Sequence, residues 1–96
     1  MSRLAIYKFR LYVAGEGPNS AQARANLAAI CREYLPDRHQ IEIIDVINDP
    51  ERALADRIFM TPTLVKLAPR PVQCIVGTLS QKQIVLQTMG MESIDV

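Results

Sequence analysis

The sequence predicts an α/β fold of element order βαβαββα, and three observations carry that expectation. Residues 6–13 and 41–47 are apolar, β-rich runs separated by one long amphipathic helix. Asp49-Pro50 opens a second, shorter helix. Thr61-Pro62-Thr63-Leu64 starts a prolyl hairpin that leads into a last helix.

Each element has a local reason. In residues 6–13, Ile6, Phe9, Leu11 and Val13 are apolar, whereas Lys8, Arg10 and Tyr12 are more polar, an imperfect period of two expected of a strand within a sheet. Residues 14–18 form a glycine-containing turn, and Asn19-Ser20-Ala21-Gln22 supplies a side-chain cap with glutamine three residues on. Ala23, Leu27, Ile30, Cys31 and Tyr34 then recur at helical spacing until Pro36, giving about four turns and placing Cys31 on the core face. Residues 41–47 read as a strand covered on both faces, and strand, helix, strand requires a parallel pairing.

Beyond Asp49 the pattern is weaker. Asp49 as cap and Pro50 as first helical residue precede a helix reaching about Phe59. Residues 61–67 and 72–76 form an edge hairpin around Pro69 and Pro71. Ser80-Gln81-Lys82-Gln83 is a capping box for a helix over 84–89. Ile84, Val85 and Leu86 are consecutive and two of them are β-branched, so this segment suits a strand at modest cost.

Composition limits the function. The 96 residues are expected to form a single domain over 1–96, and 49% hydrophobic against 22% charged residues provides for a packed core. With 11 basic and 10 acidic residues and no like-charge run, no nucleic-acid partner is expected. No apolar run approaches the roughly 20 residues of a membrane span, so a cytoplasmic protein is expected. Cys31 and Cys74 stand far apart without metal-ligand neighbours, and His39 falls in a polar stretch read as a solvated loop. No catalytic residue, cofactor or metal site is expected.

Glu16-Gly17-Pro18-Asn19 stands where a thioredoxin-type enzyme carries Cys-Gly-Pro-Cys, and Thr61-Pro62-Thr63-Leu64 is similar to the thioredoxin cis-proline turn. The scaffold therefore resembles a redox enzyme emptied of its nucleophile. Leu11-Tyr12-Val13-Ala14-Gly15, Pro18-Asn19-Ser20, Ile44-Asp45-Val46, Thr61-Pro62-Thr63-Leu64, and Pro71-Val72 with Gly77 together closely resemble the KaiB family of bacterial clock proteins, from about Tyr7 to Leu86.

That resemblance implies a small non-enzymatic adaptor that binds a KaiC-like ATPase ring. KaiA-like proteins or a sensor histidine kinase are further partners of the family. It also implies two arrangements: a monomeric thioredoxin-like βαβαββα state, and a tetrameric ground state ordered βαββααβ that shares only the N-terminal βαβ half. A homo-oligomer, tetramer or dimer, is thus expected in the ground state. The X-Pro bonds at Pro62, Pro69 and Pro71 are candidate fold-switch positions, since uncatalysed prolyl isomerisation takes roughly tens to hundreds of seconds.

Arg10, Asp45, Arg57 and Lys66 match charged family positions and are candidate partner-binding residues. Gln73-Cys74 replaces a basic pair carried by several members, Thr78 replaces an acidic residue, and Glu42 stands where lysine is frequent. These departures bear more on KaiA capture than on KaiC binding. With no kinase module in the sequence, a stand-alone adaptor is expected. The alternatives are a non-circadian stress or metabolic signalling adaptor of the same family and a thioredoxin-like redox protein.

Overall fold

Every other strand is arranged around β1 (Tyr7–Val13), which pairs in parallel with β2 (His39–Asp45) on one side and antiparallel with β3 (Thr63–Ala68) on the other. β4 (Gln73–Val76) continues antiparallel from β3, so the sheet order is β2-β1-β3-β4. The structure, a computed structural model, describes residues 5–91. Three helices complete it: α1 (Pro18–Tyr34), α2 (Pro50–Ala55) and α3 (Lys82–Met89). The order is the expected thioredoxin-like βαβαββα.

Strand alternation sends Phe9, Leu11, Val13 and Leu64 to one face, where Ala23, Leu27, Ile30 and Cys31 of α1 and Val85, Leu86 and Met89 of α3 meet them in the principal core. Emptying a site such as Leu11 in that core costs about 2–5 kcal/mol. The opposite face holds a smaller cluster of Tyr12, Ile44 and Val65, flanked by Val46, Ile58 and Leu67. Two helices cover the first face, whereas only the short α2 covers the second.

Several boundaries differ from expectation for identifiable reasons. α1 begins at Pro18, after Gly17, with no side-chain cap; Ser20 Oγ accepts instead from the Ala14 N–H at 3.2 Å, holding the turn that Asn19 was expected to cap. β2 starts at His39, whose Nδ1 lies 2.8 Å from the Leu35 carbonyl, so this histidine belongs to a strand end rather than a loop. Nor is β2 covered on both faces: it is an edge strand, and Ile43 stays 42% exposed.

α2 stops at Ala55, four residues before the expected end. Arg57 takes the left-handed conformation at φ 59°, its N–H donates to the Leu54 carbonyl, and the Ile58 N–H donates to the Ala53 carbonyl. That pair of bonds is a Schellman closure with arginine at the position glycine usually fills. α3 also lacks the capping box, having Gln81 as an uncapped N-terminal residue. It ends in a second Schellman closure at Gly90, φ 68°. Within α3, Ile84 faces out while Val85 and Leu86 are buried, which resolves the apolar triplet as helix. The peptide bonds preceding Pro62, Pro69 and Pro71 are cis.

Candidate functional site

The turn that replaces the redox motif has a structural task. Asp45, at the end of β2, accepts from the Gly15 N–H at 3.1 Å and the Ile47 N–H at 3.0 Å. Its carboxylate thereby ties the β1–α1 turn to the β2–α2 turn. Gly15 has φ 67°, a left-handed position glycine occupies without strain. The cysteines lie on opposite faces of the sheet: Cys31 is buried in the principal core, and Cys74 is exposed on β4 beside Val65 of the second face. Burial pushes the Cys31 thiol up to about 12, leaving essentially no thiolate at neutral pH. Neither cysteine sits at a helix N-terminus, where the nucleophile of a thioredoxin-type enzyme is activated.

At the α2 end, chemistry gives way to shape. Leu54, Phe59 and Met60 are 67%, 79% and 61% exposed and border the turn that holds the buried Pro62. A cleft lined by Val46, Leu54, Ile58, Phe59 and Met60 runs between α2 and this turn. Exposed apolar side chains grouped in this way mark interaction surfaces. Thr63 Oγ1 donates to the Met60 carbonyl at 2.6 Å, and Pro62 accepts from the Gly77 N–H at 2.9 Å, so the patch rests on a braced turn.

Beside the patch, charges hold α2 on the sheet. Arg10 Nε lies 3.0 Å from Glu42, and Arg52 meets both oxygens of Glu42 at 3.0 and 3.2 Å. Asp56 is 3.6 Å from Arg10 and 3.9 Å from Arg52, and it accepts a short hydrogen bond from the Tyr12 hydroxyl. The hydrogen bonds from Arg52 and then Arg10 hold the Glu42 carboxyl below its ordinary value. Burial, followed by the bond to Asp56, raises the Tyr12 phenol. The bond to Tyr12, followed by that to Glu42, raises the Arg10 guanidinium further.

The four candidate charges therefore do different things. Arg10 belongs to the α2 brace, Asp45 to the paired turns, and Arg57 is exposed at the end of α2. Lys66 is 3% exposed, and its ammonium donates to the Met89 carbonyl at 2.9 Å beneath α3. In this fold it holds a helix and presents nothing to a partner. Phe59 and Met60 were missed as site residues, although the apolar run Ile58-Phe59-Met60 directly before a prolyl turn was the available signal.

Among the described residues no group of three metal-ligating side chains occurs, and no helix is long and apolar enough to cross a membrane. The fold is shared with the N-terminal domain of SasA from Synechococcus elongatus, at TM-score 0.72 and 19% identity over 100% of this chain and 94% of that one. It is shared too with chloroplastic thioredoxin z, at TM-score 0.73 and 21% identity over 90% and 78%. Sequence gives the nearer relationship. The circadian clock protein KaiB3 of Synechocystis sp. is 44% identical over 86 residues, 90% of this chain and 81% of that protein. The circadian clock oscillator protein KaiB of Prochlorococcus marinus is 42% identical over 86 residues, 90% and 72%. The family model for the KaiB domain matches residues 10–91, and with these relatives it shows that the chain belongs to the KaiB family.

Proposed function

We propose that this protein is a non-enzymatic clock or signalling adaptor that docks on a KaiC-type ATPase ring through the apolar patch around α2. The observation that carries the reading is the exposed trio Leu54, Phe59 and Met60 beside a braced turn, in a scaffold whose redox position holds Glu16 and Asn19. Kinship with relatives named as circadian clock proteins supplies the partner class. Asp45 and Arg10 support this surface from behind, and Arg57 supplies charge at its edge.

The same reading includes a slow change of fold. The half beyond Asp49 would exchange between βαβαββα and the oligomeric βαββααβ arrangement, with Pro62, Pro69 and Pro71 all inside the exchanging half. A partner that selects the rarer state binds with an affinity reduced by that state's population. The locally ambivalent Ile84-Val85-Leu86 triplet favours such an exchange, because the segment has two low-cost conformations.

The test is incubation with the KaiC-type ATPase of the same organism, followed over hours by size-exclusion chromatography. A complex that grows slowly, and that Phe59→Asp and Leu54→Asp prevent without altering the far-UV spectrum of the free protein, is expected. No complex with wild type would redirect the adaptor to a stress or metabolic partner. Cysteine-dependent insulin reduction would instead revive the redox reading.

A further inference from the structure

Among the described residues, the sulfur atoms divide by face of the sheet. Cys31, Met89 and Met91 are packed in the principal core, at 0%, 0% and 6% exposure. Met60 and Cys74 are exposed, and both line the hollow of about 540 Å³ that the short α2 leaves open over β3 and β4. Met60 also lines the cleft between α2 and the prolyl turn. At 61% exposure it is the one methionine among the described residues whose side chain stands in solvent. A buried thioether reacts only when the fold opens, so Met89 and Met91 are shielded from an oxidant that Met60 meets directly.

Met60 is held where its polarity matters. Its carbonyl accepts from Thr63 Oγ1 at 2.6 Å, and the Gly77 N–H closes on the Pro62 carbonyl at 2.9 Å, so the backbone does not withdraw the side chain. Only the side-chain torsions stay free, and the thioether remains at the lip between the two hollows. An unbranched thioether adapts to an apolar partner, whereas its sulfoxide is polar and chiral and disrupts such contacts. One added oxygen atom therefore changes the lining of both hollows together.

We propose that Met60 is a reversible oxidation site through which hydroperoxides turn off docking at the α2 patch. A sulfur lone pair attacks the hydroxyl oxygen of the peroxide: the S–O bond forms, the O–O bond breaks, and sulfur gives up two electrons. The proton on the transferred oxygen moves to the departing one, which leaves as water or, from an organic peroxide, as an alcohol. A methionine sulfoxide reductase restores the thioether, two thiols becoming a disulfide while the oxygen leaves as water. The effect on docking rests on the reading of this patch as the ATPase-binding surface; the reactivity of Met60 does not.

Trypsin separates the sulfur atoms, releasing Met60 within residues 58–66 and Met89 with Met91 beyond Lys82, so peptide masses show which methionine has gained oxygen. The whole protein is treated with hydrogen peroxide, which catalase removes before any partner is added. Met60 is expected to react at least about tenfold faster than Met89 or Met91. Its sulfoxide is expected to weaken binding to the KaiC-type ATPase about tenfold with an unchanged far-UV spectrum, and the reductase is expected to restore binding. In Met60→Leu the affinity, at whatever level leucine sets it, is expected not to respond to peroxide, whereas Cys74→Ser is expected to respond as wild type does. Equal rates for Met60 and the core methionines, or a sulfoxide form that binds as tightly as the thioether, overturn the proposal. So does a response that disappears in Cys74→Ser, which assigns the switch to the thiol. Absence of any complex before oxidation fails the docking reading and removes the switch with it, and the peptide masses then decide the oxidation site by themselves.

Discussion

The Lys66 ammonium lies 2.9 Å from the carbonyl oxygen of Met89, joining the middle of β3 to the last turn of α3. The cation meets the negative end of the helix dipole, and the Tyr7 ring lies 5.7 Å from it. Tyr7 adds its own bond from the hydroxyl to the Gly90 carbonyl at 2.9 Å, so two strands grip one helix end. Lys66→Met keeps the aliphatic stem and removes the bond together with the ammonium's desolvation cost, so a loss of about 1 kcal/mol or less is expected. Lys66→Ala also empties buried space and is expected to cost about 2–3 kcal/mol. Urea unfolding of both variants decides the matter: equal losses would mean that the ammonium bond outweighs the stem.

Arg57 combines a strained backbone with an exposed charge. A non-glycine residue in the left-handed region costs roughly 1–2 kcal/mol, and the Schellman closure at the end of α2 imposes that conformation here. Arg57→Gly is therefore expected to raise stability by about 1 kcal/mol, read as the urea midpoint. Arg57→Ala keeps the Cβ in the left-handed position and should leave stability nearly unchanged. A Gly variant no more stable than the Ala variant would show that the turn is not strained.

Much of the fold could be read because its signals are local. Pro36 ends α1, Asp49 accepts from the Arg52 N–H at 3.3 Å to start α2, and strand alternation placed Phe9, Leu11 and Val13 together. The end of α2 was not legible, because a left-handed arginine carries none of the signal glycine would have given. Lys66, a candidate partner-binding residue by its charge, shares the parity of the buried Leu64 and so points the same way, into the fold. β2 looked fully covered because Ile43 is apolar, yet strand order, a non-local property, set it at the edge. The hollow over β3 and β4 was invisible for a related reason: it exists only because α2 is short and β4 lies two strands from β1.

Acid should loosen α2 before the rest. Hydrogen bonds from Arg52 and Arg10 lower the Glu42 carboxyl from its ordinary 4.5, so the brace contributes fully above that value and is lost as pH falls beneath it. Amides of α2 are expected to exchange faster below about pH 4 while those of α1 stay protected. Glu42→Gln, which cannot ionise, should show the loosened α2 already at pH 7 and no further change at pH 4. An α2 that responds to acid identically in both proteins would remove Glu42 from the brace.

Alkali should act through the opposite layer. Burial raises the Cys31 thiol from 9.0 to about 12, so the unfolded chain releases this proton near pH 9 while the folded chain keeps it. Stability is therefore complete below pH 9 and declines between 9 and 12, with a slope approaching about 1.4 kcal/mol per pH unit once the unfolded thiol is ionised. Burial of Lys66 works against this, since its lowered pKa leaves the unfolded state holding more protons as pH approaches 10.5 and thereby favours folding there. The raised Tyr12 phenol adds to the decline above pH 10. Urea midpoints between pH 8 and 11 in Cys31→Ala should start lower, because a packed side chain is shortened, but fall less steeply than in wild type. In Lys66→Met the decline should be steeper than in wild type. Parallel curves for Cys31→Ala and wild type would mean that the thiol is already ionised, or reached by water, in the folded core.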